Sequence, residues 1–306
     1  MDHKRLFSLR ALAACAAAGL ALGVPGARAD CLTDTQVSEF VANFVARTPA
    51  ATPLGLSEAD GACSRPRLHA ELAKRYGRVI GYKAGLTNPA VQKRFNADQP
   101  VWGKLYDGML LPAGAVVDPA FGGRPLFEAD MLVRVKSDAV NQAKTPMDVL
   151  LAIDQIIPFI ELPDLVVQTP QQLNGAAVSA INVGARLGVA GTPIAVPVTR
   201  GERYAMLDAL QRMTVVLSSA GGAGGAQSVE LARGKGSDIL EHPLNAVVWL
   251  AGALAREGLA MKPGELISLG SFSPLLPPKP GAMVSATYEG LPGGGPGAPS
   301  VSMSFK

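Results

Sequence analysis

One predicted strand with apolar residues on both of its faces limits how this chain can fold. The segment PLFEADMLVRV, residues 125–135, has a strand-like composition. Alternation along a strand gives one face Phe127, Ala129, Met131 and Val133, and the other Leu126, Glu128, Asp130 and Leu132. Because two leucines accompany the two carboxylates, the second face is at least partly buried. The strand therefore belongs inside a layered core.

The carboxylates on this strand indicate either a solvated outer face or a metal site. Glu128 and Asp130 lie roughly 6.5–7 Å apart along the strand, and buried carboxylates must be paired or coordinate a metal. An E-x-D spacing alone is common. A third carboxylate, Glu161, stands between Ile160 and Leu162 in a second apolar run. Three oxygen donors, in a chain with three histidines in all, favour Mg²⁺ or Mn²⁺.

The rest of the chain predicts an α+β fold. Helical periodicity marks residues 33–47 and 242–258, and a second helix is expected over 65–77. Apolar runs bounded by Gly and Pro predict strands between and after these helices. With no internal repeat and no interdomain linker, this order indicates helices arranged around a β core.

The first 29 residues have the pattern of a secretory signal. A basic leader precedes an apolar run over 11–24, and ARA ends at Ala29. The run is short for a membrane span, so we expect cleavage there and a periplasmic or secreted protein without a membrane anchor. Beyond the leader the basic and acidic residues balance, and no basic cluster indicates nucleic-acid binding.

Two cysteines remain after the predicted cleavage. Cys31 and Cys63 are too few and too poorly spaced for a zinc site. In an oxidising compartment we expect them to form a disulfide, and two unpaired thiols are the alternative.

Five motifs resemble those of a known family in order and spacing. They are VIGYKAGLT, DQPVWGKLYDGMLLP, PLFEADMLVRV, PFIELPDLV and HPLNAVVWLAGALAREG. Between about residues 78 and 285 the chain resembles the 2-keto-4-pentenoate hydratases, within the superfamily of the fumarylacetoacetate hydrolase C-terminal domain. The resemblance implies a mixed β-roll or β-sandwich core with peripheral helices, formed by residues 78–306. Residues 30–77 would be a helical segment packed on that core.

The resemblance also implies roles for individual residues. Glu128, Asp130 and Glu161 match the metal ligands of the family, with Asp130 in place of the more common Glu. Lys83 and Asp107 match its catalytic residues, although a surface lysine and a turn aspartate are the plain alternatives. The substrate-binding positions would be Asn182 and Ser271. The expected partner is a small 2-oxo or 2-hydroxydienoic acid, and the expected assembly is a homo-oligomer.

Within the family, the sequence favours a hydratase or a decarboxylase over a carbon–carbon hydrolase. The segment KAGLTNPAVQKRFN has neither the His nor the Glu with which those hydrolases activate water. Two features depart from the family pattern. SAINVGARLG lacks the hydroxyls that usually adjoin Asn182, and the predicted export is unusual for enzymes of aromatic-compound catabolism. A periplasmic binder of oxo acids that requires the metal but has no turnover is the third alternative.

Overall fold

The structure is a computed structural model that describes residues 30–221, 227–293 and 297–306. The signal peptide predicted over residues 1–29 lies outside the described residues. Within the described ranges, no helix is both long and apolar enough to cross a membrane.

The described residues form seven α-helices and thirteen β-strands. The helices are α1 Asp34–Ala46, α2 Glu58–Tyr76, α3 Pro89–Arg94, α4 Pro146–Ala152, α5 Gly175–Ala180, α6 Arg200–Arg212 and α7 Asn245–Arg256. The strands are β1 Val79–Gly85, β2 Val101–Tyr106, β3 Leu110–Pro112, β4 Val116–Val117, β5 Glu128–Val135, β6 Ile153–Leu162, β7 Leu187–Ala190, β8 Ile194–Ala195, β9 Thr214–Ala220, β10 Val229–Lys235, β11 Leu266–Ser268, β12 Met283–Glu289 and β13 Ser300–Phe305.

Two mixed sheets form the centre of the fold. The larger has the order β2-β1-β11-β5-β6-β7-β3, with β8 also paired to β6, and the smaller has the order β10-β9-β12-β13-β4. Both parallel and antiparallel pairs occur in the larger sheet, since β1 and β11 are parallel whereas β5 and β6 are antiparallel. The α+β prediction is therefore confirmed.

Strand β5 is buried on both faces, as the sequence predicts. One face contributes to a sheet–sheet core, in which Met131 and Val133 join Leu217 and Val284 of the smaller sheet. The other face contributes to a helix–sheet core formed with helices α1, α2 and α5, whose members include Val37, Phe40, Leu68, Leu72, Leu132, Ile157, Phe159 and Val178. Glu128 and Asp130 alternate along the strand in step with Leu132, so the side chains of all three lie on the helix-covered face.

The N-terminal helices cover the larger sheet. Helix α2 begins seven residues earlier than the predicted start at residue 65, because Ser57 and Asp60 form a capping box there. The helix then continues through Pro66. Cys31 and Cys63 are joined by a disulfide with a Cα–Cα distance of 5.4 Å, which attaches the segment before α1 to α2.

Candidate active site

Three carboxylates meet on the buried face of the β5–β6 pair. The antiparallel register sets Glu128 directly opposite Glu161, and Asp130 opposite Phe159. Their exposed fractions are 7% for Glu128, 0% for Asp130 and 2% for Glu161. Like charges directly opposite each other destabilise a sheet, and burial increases that cost. The cluster therefore requires positive charge or protons.

Lys83 supplies one positive charge to the cluster. It lies on β1, is 4% exposed, and donates hydrogen bonds from Nζ to Glu161 Oε1 and, at 3.0 Å, to the carbonyl oxygen of Val183. With all three carboxylates ionised, one lysine leaves two negative charges uncompensated in the protein interior. A divalent cation has the charge that balances them.

Asp130 is held by three donors. Its Oδ2 accepts a hydrogen bond of 2.6 Å from Ser268 Oγ, and its Oδ1 accepts from the backbone N–H groups of Gly270 at 3.0 Å and Met131 at 2.5 Å. Ser268 was not among the residues predicted from the sequence. The available signal was its hydroxyl within the otherwise apolar run ELISL, because a polar group buried at 0% exposure needs a partner.

Burial and like charge favour the protonated forms of Glu128 and Asp130 when no cation is bound. Desolvation by burial, followed by the charge of Glu161, raises the pKa of Glu128 well above its usual range. The same two causes raise the pKa of Asp130. Desolvation lowers the pKa of Lys83, but the charges of the three carboxylates together raise it above its ordinary value. The lysine is therefore a cation, and Glu128 and Asp130 favour their protonated forms when no cation is bound.

The donor chemistry of the cluster fits a hard divalent cation. Oε2 of Glu161 is buried and has no hydrogen-bond partner, and carboxylate oxygens are the ligands that Mg²⁺ and Mn²⁺ prefer. Among the described residues, however, no three His, Cys, Asp or Glu side chains are already arranged to hold a metal ion. Lys83 contacts Glu161 and Ser268 holds Asp130, so a bound cation would share these carboxylates with the lysine and the serine.

Asn182 lies close to the cluster but is occupied by protein groups. Its Oδ1 accepts from Lys104 N at 2.7 Å and lies 2.9 Å from His69 Nε2, while its Nδ2 donates to Lys104 O at 3.1 Å. These bonds attach the turn at residues 182–184 to β2. The turn is left-handed throughout, with φ of 56° at Asn182, 55° at Val183 and 65° at Gly184. Asn182 thus positions the Val183 carbonyl that accepts from Lys83.

Ser271 lies in the loop that follows β11, next to Gly270. Its hydroxyl donates to Ser273 O at 2.5 Å, lies 3.4 Å from Ala129 O on β5, and accepts from Ser273 N at 3.1 Å. A contact between Ser271 and substrate stays a prediction.

Asp107 forms its contacts away from the cluster, and its acid–base role stays a prediction. It begins a short 3₁₀ turn after β2, its side chain is 44% exposed, and it forms an ion pair of 3.4 Å with Arg78. Because β1 and β2 are antiparallel, the end of β2 lies beside the start of β1. Arg78 precedes Lys83 by five residues, roughly 16 Å of strand.

This chain is similar in sequence to several known enzymes. It is 31% identical to a 2-keto-4-pentenoate hydratase of Paraburkholderia xenovorans (strain LB400) over 217 residues, which cover 70% of this chain and 74% of the relative. The chain belongs to the 2-keto-4-pentenoate hydratase family. A 4-oxalocrotonate decarboxylase of Pseudomonas putida is also similar, at 30% identity over 71% of this chain and 76% of the relative. No protein-family model matches the chain.

A solved structure shares the fold. The 4-oxalocrotonate decarboxylase from Pseudomonas putida G7, complexed with magnesium and adipate, superimposes with a TM-score of 0.73 and covers 90% of this chain and 99% of its own. At 24% sequence identity, this likeness concerns the fold alone.

Proposed function

We propose that this protein is a hydro-lyase that depends on a divalent metal and adds water to a 2-hydroxydienoate such as 2-keto-4-pentenoate in its enol form. The observation that carries the proposal is the buried cluster of Glu128, Asp130 and Glu161 with Lys83, which has an excess of two negative charges when ionised. Membership of the hydratase family gives the reaction class. The magnesium named in the structure of the decarboxylase neighbour supports the choice of cation.

The three carboxylates would hold the metal, with Mg²⁺ or Mn²⁺ preferred. When bound, such a cation supplies Lewis acidity toward the carboxylate and 2-oxygen of an oxo acid. Lys83 would bind the substrate directly. Its ammonium has three N–H donors, two of which contact Glu161 and Val183, so the third can donate to a substrate carboxylate. Asp107, which is paired with Arg78, is given no step in this proposal.

Decarboxylation of a related oxo acid is the second candidate. It is favoured by the similarity to a 4-oxalocrotonate decarboxylase in sequence and by the shared fold. Both reactions proceed through an enolised 2-oxo acid, so the same cluster and the same lysine could serve either. The substrate distinguishes them, since the decarboxylase requires a second carboxylate to lose.

We also propose that the protein works outside the cytoplasm as a homo-oligomer. The leader over residues 1–29 and the disulfide between Cys31 and Cys63 support export. Assembly rests on the family resemblance alone.

An ultraviolet assay tests the activity. Purified protein without the leader is mixed with 2-hydroxypenta-2,4-dienoate in the presence of Mg²⁺ and then of EDTA. We expect loss of the dienol absorbance that requires Mg²⁺, with 4-hydroxy-2-oxopentanoate as the product. Glu161→Gln should abolish turnover, whereas Glu289→Gln, at an exposed ion pair with Arg233, should not change it.

The other outcomes separate the candidates. Release of CO₂ from 4-oxalocrotonate without hydration of the dienoate would identify a decarboxylase. Ligand binding that requires the metal, with neither reaction, would identify a binding protein. Full activity in Glu161→Gln with unchanged metal dependence would contradict the proposed site.

A further inference from the structure

The carboxylate cluster is closed in this structure. A cavity beside Glu161 has a volume of about 10 Å³, roughly the space of one water molecule. Pockets that bind small molecules are usually about 300–1,000 Å³. A five-carbon acid therefore reaches the cluster only if neighbouring side chains move.

A cleft of ligand size lies next to the cluster. Its volume is about 860 Å³, and it lies between α2, α3, β2, α5 and α7. Both tryptophans of the chain, Trp102 and Trp249, line it. Arg65 stacks on Trp102 with its guanidinium carbon 4.1 Å from the ring centroid. Lys93 and Arg256 also line the cleft, together with the acidic side chains of Glu58, Asp98 and Glu257, the last of which is paired with Arg65. The charges of the walls therefore balance, and the two tryptophans are the surface that suits the apolar chain of a small acid.

One apolar layer separates this cleft from Lys83. Val101 lines the cleft and pairs with Gly85 on β1. The side chains of Val183 and Val101 both lie against Gly85, because a methyl group added there would come 2.4 Å from Val183 Cγ1 and 3.7 Å from Val101 Cγ2. Gly85 follows Lys83 by two residues on the same strand face. Val183 does not itself line the cleft and lies behind Val101, with its carbonyl on Lys83.

The backbone of Val183 is strained. A β-branched residue at φ 55° lies in the left-handed region that such side chains rarely adopt. The bonds of Asn182 to Lys104 and His69 hold the turn in this conformation. Strained backbone of this kind clusters at ligand clamps and switch regions. Because the carbonyl of Val183 also accepts from Lys83, a movement of this residue would open the layer and free a lysine donor together.

We propose that this cleft is the entry site for the oxo acid and that Val183 blocks the passage from the cleft to the carboxylate cluster. The proposal names the route and the closing residue for the activity proposed above, and in that respect rests on it. The ligand class is a small unbranched 2-oxo carboxylate. Its chain would lie against the tryptophans of the cleft first, and its carboxylate would meet Lys83 after the turn at residues 182–184 has moved.

The first test measures whether Val183 blocks access to the carboxylate cluster, and it does not depend on catalytic turnover. Protein loaded with Mn²⁺ is mixed rapidly with EDTA, and the rate of Mn²⁺ removal is compared among variants. Val183→Ala and Val183→Gly should release Mn²⁺ about tenfold faster, a change equivalent to about 1.4 kcal/mol in the barrier. Val183→Gly also removes the steric strain, so it keeps the test valid if the alanine variant folds poorly. Val166→Ala, in the same helix–sheet core but away from Gly85, is the matched control.

The second test measures binding in the cleft and requires no metal. Titration with 2-oxopentanoate should quench the tryptophan fluorescence. Ala59→Phe, which fills the cleft from an exposed position on α2, should abolish the quenching, while Ala255→Phe, also on an exposed helical position but outside the cleft lining, should not.

The outcomes separate this inference from the proposed activity. Equal Mn²⁺ release in the Val183 and Val166 variants, or quenching that persists in Ala59→Phe, would overturn the entry route even if the protein hydrates dienoates. Faster release and loss of quenching would support the route even if no turnover is found.

Discussion

Ser268 Oγ donates a hydrogen bond of 2.6 Å to Oδ2 of Asp130. The two residues belong to neighbouring strands, β11 and β5, and Ser268 is also the direct pairing partner of Lys83 on β1. This buried serine therefore links the strand that carries the lysine to the strand that carries two of the carboxylates. A hydroxyl in this place holds Asp130 in one orientation.

Replacing Ser268 should weaken metal binding. Ser268→Ala removes the donor that orients Asp130, and loss of such a supporting hydrogen bond typically costs about 10–100-fold in metal affinity. Ser268→Thr keeps a hydroxyl and should bind more tightly than the alanine variant. Calorimetric titration with Mn²⁺ measures both. Equal affinity in wild type and Ser268→Ala would show that Asp130 needs no support, provided that circular dichroism finds both proteins folded.

Removing the charge of Lys83 should destabilise the protein without metal. Lys83→Met leaves Glu161 buried without its cation, which typically costs about 3–5 kcal/mol. Mn²⁺ should restore part of the loss. Urea unfolding with and without Mn²⁺ measures the effect, and Lys74→Met, at an exposed pair with Glu71, should cost less than about 1 kcal/mol. Similar losses in the two variants would contradict the electrostatic role of Lys83.

His69 should make the protein less stable in mild acid. Burial, followed by the charge of Lys104, lowers the pKa of His69 to about 3 in the folded protein, while the unfolded chain binds a proton below about 6.5. Acid therefore favours unfolding from pH 6.5 downward until the folded histidine titrates near pH 3. The contribution is at most about 1.4 kcal/mol per pH unit.

The matched variant for this prediction is His69→Gln, which can still donate toward Asn182. Its free energy of unfolding should fall less steeply than that of wild type between pH 6.5 and 4.5. Chemical denaturation at several pH values measures both slopes. Parallel slopes would mean that His69 does not titrate as its burial implies.

The disulfide should contribute substantially to stability. It joins residues separated by 32 positions, and the loop-entropy model gives about 3–4 kcal/mol for a closed loop of that size. Replacing both cysteines with serine should lower the free energy of unfolding by about this amount. Mass spectrometry of alkylated protein, before and after reduction, tests the bond directly. Two thiols that react without prior reduction would exclude it.

Much of the cluster could be predicted from local sequence. The two-residue period of a strand is a property of the backbone, so the pattern around Glu128 and Asp130 was enough to place both side chains on one partly buried face. Glu161 was indicated in the same way, because a carboxylate in an apolar run needs a partner. The α+β class likewise followed from the order of periodic segments.

Contacts between distant strands were decided only by the tertiary structure. That Glu161 lies opposite Glu128 depends on the register of β5 and β6, and the bond from Ser268 to Asp130 joins residues 138 positions apart. Asp107 is the opposite case, because local sequence predicted it as a residue of the site and the fold places its contacts away from the cluster. Its motif LYDGM resembles a catalytic segment, yet the antiparallel pairing of β1 and β2 places it beside Arg78 at the surface.

The sequence by itself therefore determined which side chains are buried together with the core, because burial follows from periodicity that each strand carries alone. Only the tertiary structure decided which of those side chains meet. Strand order and register arise from packing over the whole sheet, and a shift of one residue would turn every side chain of a strand to its other face. The left-handed turn at Val183, whose carbonyl accepts from Lys83, is set in the same way by the bonds of Asn182 to β2 and α2.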